Sequence, residues 1–290
     1  MSDDAASDRP SKKIVPPEEH SSSFLAQEIR AFLSGIMFFT RLPVPEWVDH
    51  NMYWLSLSTA YFPLIGVFVA LFGAFWYILS LSLWDANIAA YFYTLSTVWL
   101  TGAFHEDGLA DTFDGFGGGW GRTQILTIMR DSRLGTYGAI GLLLVVSLKL
   151  SALARFAALA PFSISGMTGI FVTAHVMGRW SCTYLLWAYP YVENVSAKGK
   201  EFSLKVTIPR LVFTTLTTIV FVGISLAWDV EKMAIIWAVS IVTTLVMGAY
   251  IDSVIGGVIG DCLGATNQVV ELASYLALSA DWAKLLQYMY

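Results

Sequence analysis

Seven apolar runs of membrane-spanning length constrain this chain more than any other feature. They lie near 58–83, 87–104, 137–160, 166–190, 209–228, 233–251 and 254–280. A helix of about 20 apolar residues crosses a hydrocarbon core. Inside that core every backbone amide needs an internal partner, which an α-helix provides. Composition agrees: 56% of the residues are hydrophobic and 13% charged, against about a quarter charged in ordinary soluble domains. A soluble domain of 290 residues cannot hide that much apolar surface. Disorder, collagen and coiled coil are excluded, and a net charge of −5 argues against nucleic-acid binding. The expectation is an all-α, polytopic helical membrane protein with six to eight transmembrane or re-entrant helices. A shorter run at 24–40 carries Glu28 and Arg30 and is expected to lie in the interface or re-enter.

Residues 1–23 are polar, mixed in charge and rich in Ser and Pro, so they read as a disordered tail. They do not read as a signal peptide, because no basic segment leads into an apolar one. Residues 24–290 then form one integral membrane domain. Cys182 and Cys262 have neither disulfide-framework nor metal-type spacing. Tryptophans near span ends, among them Trp47, Trp54, Trp84, Trp120 and Trp228, suit an interfacial belt.

The very short linker at 84–86 makes its flanking spans a hairpin. Segments 41–57, 105–136 and 191–208 then share one side with Arg41, Arg122, Arg130, Arg133, Lys198, Lys200 and Lys205, and Arg210 lies just inside the next span. The other side has Lys232 alone. The positive-inside rule places the basic side in the cytoplasm.

That side carries the chemistry. In the stretch 104–115, Asp107, Asp111 and Asp114 are spaced i, i+4, i+7. On a helix they share a face. Three neighbouring carboxylates with no interleaved cation repel one another unless a cation joins them. A hard divalent ion with oxygen ligands fits, and Mg²⁺ is the usual choice beside phosphates. Gly115, Gly117, Gly118, Gly119 and Gly121 follow, and such a loop can cradle an anion. Arg130 and Arg133, flanking Asp131, suit bidentate phosphate contacts. Asp131 reads as a further metal ligand or as the group that orients an arginine.

Ionisable groups inside spans are costly and mark function. Lys149 and Arg179 are therefore expected at the site, as phosphate-binding groups, together with Arg41. Arg155 reads as snorkelling and His175 as structural. The last run is interrupted by Gly256, Gly257, Gly260 and Gly264 and carries Asp261, Thr266, Asn267, Gln268 and Glu271. A broken helix with a polar centre lines a site. Asp261 would complete a metal shell or act as a base, and Asn267, Gln268 and Glu271 would meet the ligand. The residues alone thus describe a metal-complexed phosphate or diphosphate site at the membrane surface, transferring a phosphoryl-linked group to an alcohol. No P-loop is present.

At these residues the chain resembles the membrane cobalamin synthases, the adenosylcobinamide-GDP ribazoletransferases. The matching pieces are TRLPVP at 40–45, FPLIG at 62–66, HEDGLADTFDG at 105–115, MRDSRLGTYG at 129–138, and GDCLGATNQ with Glu271. They follow family order. The long tail and Glu106 depart from the pattern. The resemblance implies that adenosylcobinamide-GDP and α-ribazole, or its 5′-phosphate, condense to adenosylcobalamin or its phosphate with release of GMP. It implies Mg²⁺ as cofactor and a bacterial inner membrane location with the site facing the cytoplasm. By that reading Asp107, Asp111 and Asp114 hold Mg²⁺, arginines steady the departing GMP, and Asp261 or Asp131 takes the proton. Homo-oligomers or pathway-enzyme associations stay open, as does a partner on 191–208. CDP-alcohol phosphotransferases are a rival, but their Gly-x-x-x-Asp-x-x-x-Asp continuation is missing; a transporter with a midplane cation site is another.

Overall fold

The computed structural model describes residues 23–159, 163–192 and 206–282. Expectations for residues 1–22 and for 193–205, where Lys198, Lys200 and Lys205 lie, fall outside the described residues. Those described form eleven α-helices and one 3-10 turn, with a single β-bridge between Tyr191 and Val258. This is an all-α membrane protein.

Four stretches are long and apolar enough to cross a bilayer: Met52–Leu81, which contains α2 (Met52–Ser58) and α3 (Phe62–Leu81); Thr136–Ala157 within α7 (Thr136–Leu159); α9 (Ile208–Ser225); and α10 (Val230–Ile255). α7, α9 and α10 turn apolar side chains such as Leu143, Leu216, Ile224 and Val246 outward. Outside a membrane such faces would be a liability. α4 (Ala86–Thr101), α8 (Ile164–Ala188) and α11 (Gly260–Ser279) are more polar. Most of α8 and α11 is buried, which keeps most of their polar groups away from lipid. These two helices are the interior around which the others pack.

α1 (Phe24–Phe39) is tied down by its ionic residues. Glu28 pairs with Arg210 of α9 at 2.8 Å and accepts a hydrogen bond from Tyr61 Oη at 2.7 Å. Arg30 pairs with Asp49 and bonds the Trp47 carbonyl. Trp54, expected in an interfacial belt, is instead buried beneath the Arg30 guanidinium, whereas Trp47, Trp84, Trp120 and Trp228 are exposed.

Two breaks in the helical path create the site. Gly102 and Ala103 adopt left-handed backbone and end α4, and α5 (Phe104–Gly118) begins at once. The acidic stretch expected within a long loop is therefore a helix, and only 119–135, containing α6 (Arg122–Ile128), connects it to α7. Asp114 meets 135–138, while Glu106 shares a cavity with Lys149, so α5 runs antiparallel beside the first half of α7. The second break, at Gly256 and Gly257, separates α10 from α11, as the interrupted run predicts. α11 runs parallel to α7: Lys149 bonds Gln268, and Arg155 bonds the Ser279 carbonyl. Arg155 is thus tied to the end of α11. α5 and α11 meet closely, since a Cβ at Gly108 would lie 2.7 Å from the Asp261 carbonyl oxygen. Glycine there lets the backbones touch, as in other membrane helix pairs.

Candidate functional site

That contact brings two acidic segments together. Asp107 and Asp111 are one turn apart on α5, exposed and half-buried respectively, and Asp261 sits half-buried in the first turn of α11. The Asp111 carboxyl is pushed up to about 6, first by partial burial and then by the charges of Asp107, Asp261 and Asp114. The cluster repels its own charge and favours a cation. Among the described residues no three His, Cys, Asp or Glu side chains converge as a ready-made metal cage. Oxygen-only donors offered as one or two carboxylates suit Mg²⁺, which completes its shell with water and phosphate oxygens.

Asp114 has a different task. It is only 7% exposed, and its two oxygens accept hydrogen bonds from the backbone N–H groups of Gly135 (2.7 Å) and Gly138 (2.8 Å). These amides precede and open α7, where a carboxylate satisfies donors that the helix cannot. The expectation of three equivalent ligands thus resolves into Asp107 and Asp111 facing outward and Asp114 anchoring α7. The same contact accounts for the glycines of 135–138: a Cβ at either would come within 2.3 Å of an Asp114 oxygen. Gly138→Ala should therefore destabilise the fold by about 1–3 kcal/mol through overpacking. Unchanged thermal unfolding of that variant in lipid nanodiscs would refute the arrangement.

The glycines after the acidic motif are divided between α5 and the start of the connector, where Gly119 and Gly121 lie. Gly115, Gly117 and Gly118 are inside α5. A Cβ at Gly115 would strike Met129, and one at Gly117 would strike Tyr137. They are thin so that the 119–135 connector and α7 can pack. Arg130 and Arg133 are exposed on that connector. Asp131 holds Arg133 in a fork, with Nε at 3.0 Å and Nη2 at 2.5 Å, and the guanidinium keeps the Asp131 carboxyl below its usual range. Asp131 therefore orients an arginine rather than joining the acid cluster. Arg41 is exposed and lies against Gly102 at the α4–α5 break, its backbone N–H donating to the Leu100 carbonyl.

Lys149, Arg179, Gln268 and Glu271 occupy a different place from the one expected. All four are buried in the bundle interior. Lys149 Nζ lies 2.9 Å from Glu271 Oε1 and donates to Gln268 Oε1 at 2.8 Å. His175 Nδ1 lies 3.2 Å from Glu271 Oε2. The Arg179 guanidinium donates to the His175 carbonyl at 3.1 Å and also lies 3.0 Å from Nδ1. Arg179 has that carbonyl as acceptor, so we assign the Nδ1 proton to the Glu271 side. The Glu271 contacts are charge contacts: neither oxygen meets hydrogen-bond geometry. The Lys149–Glu271 contact joins α7 to α11, and His175–Glu271 joins α11 to α8. Low dielectric rewards the pairing and penalises any unpaired member. Asn267 is fully buried against Gly178. His175 and Arg179, four residues apart on α8, share a face, and the structure turns that face inward.

The sequence reading passed over a cleft beside the acids. It lies where α1, α2, α3, α5, α8 and α11 meet and has a cavity volume of about 70 Å³. Phe38, Phe39, Phe62, Phe104 and His105 line it, with Arg179 and Cys182. Only the Phe-Phe and Phe-His pairs in the sequence hint at it, and rings in spans are commonplace.

A family model described as cobalamin-5-phosphate synthase matches residues 31–279. A protein of Shewanella amazonensis named adenosylcobinamide-GDP ribazoletransferase is 35% identical over 263 residues, 90% of this chain and 99% of its own. One of the same name from Leptothrix cholodnii is 36% identical over 269 residues, covering 89% and 98% of the two chains. A third, from Shewanella piezotolerans, is 35% identical over 261 residues, covering 88% and 98%. No solved structure matches.

Proposed function

The chain belongs to the cobalamin-5-phosphate synthase family, and from that premise we propose that it joins adenosylcobinamide-GDP to α-ribazole or α-ribazole 5′-phosphate, releasing GMP. The observation that supports this most is the meeting of Asp107 and Asp111 with Asp261 where α5 touches α11. Asp107 and Asp111 would hold Mg²⁺ on the diphosphate, which leaves Asp261 free to take a proton. When bound, the ion neutralises phosphate charge and makes the phosphorus a better electrophile.

The protein's own groups do the rest. The two helices give the acidic side chains a rigid footing, which holds the reacting groups in register. A ribose hydroxyl of the ribazole, not the 5′-hydroxyl that carries the phosphate in α-ribazole 5′-phosphate, attacks the phosphorus that stays with cobinamide. Its O–H proton passes to the Asp261 carboxylate, the new O–P bond forms, and the bridging P–O bond breaks with its electrons leaving on GMP. Asp261 suits the base because Asp131 is committed to Arg133 and Asp114 to α7. Exposed Arg130, and Arg133 held by Asp131, would receive the departing phosphate, with Arg41 at the α4–α5 break. The basic connector 119–135 supports a site that faces the cytoplasm of a bacterial inner membrane, by the positive-inside rule.

The test is turnover by purified protein in lipid, given adenosylcobinamide-GDP, α-ribazole and Mg²⁺. GMP and an intact cobalamin are expected by mass spectrometry, with both lost on EDTA treatment and regained with added Mg²⁺. Folded protein that forms neither product would overturn the proposed reaction, and turnover indifferent to EDTA would overturn the metal.

A further inference from the structure

The aromatic cleft has no role in the chemistry above. Its rings form one cluster: Phe39 meets Phe62 edge-on at 4.6 Å, Phe104 edge-on at 5.6 Å, and lies parallel to His105 at 6.0 Å. Phe38 and Phe104 at its rim are 43% and 37% exposed. A Cβ at Gly260 would be in ordinary contact with the Tyr191 hydroxyl at 3.7 Å, so Tyr191 borders the cleft at the start of α11. Its wall is apolar except for His105, Tyr191 and the buried Arg179.

This lining discriminates between occupants. Phe and His present ring faces and edges that favour another planar ring in offset or edge-on contact. A guanidinium in such a wall stacks on an aromatic face or donates to a ring nitrogen. A lipid tail uses neither and would leave the buried donor facing hydrocarbon, which is costly. Position narrows the choice further. Phe104 and His105 stand just before Asp107 on α5, and Gly260 precedes Asp261 on α11. A molecule seated in the cleft would direct its other end at the carboxylates.

We propose that this cleft seats the planar heterocyclic base of the acceptor nucleoside, with its sugar hydroxyl toward Asp107 and Asp261. The assignment rests on the reading that the acceptor is α-ribazole or its phosphate. It makes the cleft the element that selects the acceptor, distinct from the groups that handle the diphosphate. It also asks Arg179, buried in the ionic cluster, to show one edge to the ligand.

Two variants test it in lipid nanodiscs. Leu186 lines the cleft on α8, and Leu186→Phe fills it. Phe38→Ala trims the exposed rim with little demand on folding. Leu186→Phe should raise KM for α-ribazole by roughly tenfold or more, the scale of a misfit in an apolar pocket. KM for adenosylcobinamide-GDP should stay within about twofold, and Phe38→Ala should act in the same direction more weakly. Equilibrium dialysis with α-ribazole alone should show binding to the wild type and weaker binding to both variants. Unchanged α-ribazole affinity in folded variants would overturn the proposal. So would equal changes in both KM values, or a phospholipid that copurifies with the wild type, is lost in Leu186→Phe and is not displaced by α-ribazole. The dialysis needs no turnover. A wild type that binds α-ribazole yet releases no GMP would count against the reaction and not against the cleft.

Discussion

Turnover should fall by roughly 10²–10³-fold in Asp111→Asn, the scale seen when a preorganised charge-stabilising group is removed. Asp111 is where the charges of Asp107, Asp261 and Asp114 converge. Asparagine keeps the shape and removes the charge a cation would seek. Asp107→Asn should behave alike, and both should need more Mg²⁺ for half-maximal activity. Asp114→Asn separates this scheme from one with three equivalent ligands. Both Asp114 oxygens accept backbone N–H groups, and an amide would set an NH₂ against one of those donors. Its principal effect should be lower thermal stability, with half-maximal Mg²⁺ in the surviving folded protein close to wild type. If Asp111→Asn turned over normally, or Asp114→Asn shifted only the Mg²⁺ requirement, this division of labour would be wrong.

The second large effect lies in the interior. Glu271→Ala should cost about 3–5 kcal/mol of stability, because it strands Lys149 in a medium that cannot solvate it. Glu271 is 1% exposed, and its contacts reach α7 and α8. Lys149→Met should be comparably damaging alone. Combined with Glu271→Leu it should cost clearly less than the two single changes summed, since no unpaired charge remains. Unfolding monitored by denaturant titration in mixed micelles measures all three. If Lys149 contacted phosphate instead, Lys149→Met would raise KM for adenosylcobinamide-GDP in a protein of normal stability. Strictly additive losses would show that the two side chains do not pair.

The fold class was legible because the bilayer acts as a solvent with one strong demand. Apolar runs of spanning length have few solutions, and positions 58–83, 137–160, 209–228 and 233–251 each contain a long helix. The interruption at 256–260 was legible as well, since glycines and polar residues inside an apolar run mark a break. The acidic spacing on α5 placed Asp107 and Asp111 on a common face, as local periodicity should.

Other features were hidden because they depend on partners distant in the chain. Asp107, Asp111 and Asp114 look alike in sequence, yet Asp114 belongs to α7 because α5 folds back along it. The glycines at 115–118 look like a phosphate loop until their neighbours Met129 and Tyr137 are known. Lys149 looks like a substrate-binding cation, but its depth in the bundle and its contact with Glu271 turn it inward, whereas Arg179, equally deep and bonded to His175, also lines the aromatic cleft. The aromatic cleft has no periodic signature, since its walls come from six separate helices. The sequence alone thus determined the membrane architecture, the helix breaks and the side chains available for chemistry, because each follows from local composition and period. Only the tertiary structure decided which charges face substrate and which face one another. That choice turns on which helix backs onto which, and on the cost of leaving any charge unpaired in a low dielectric.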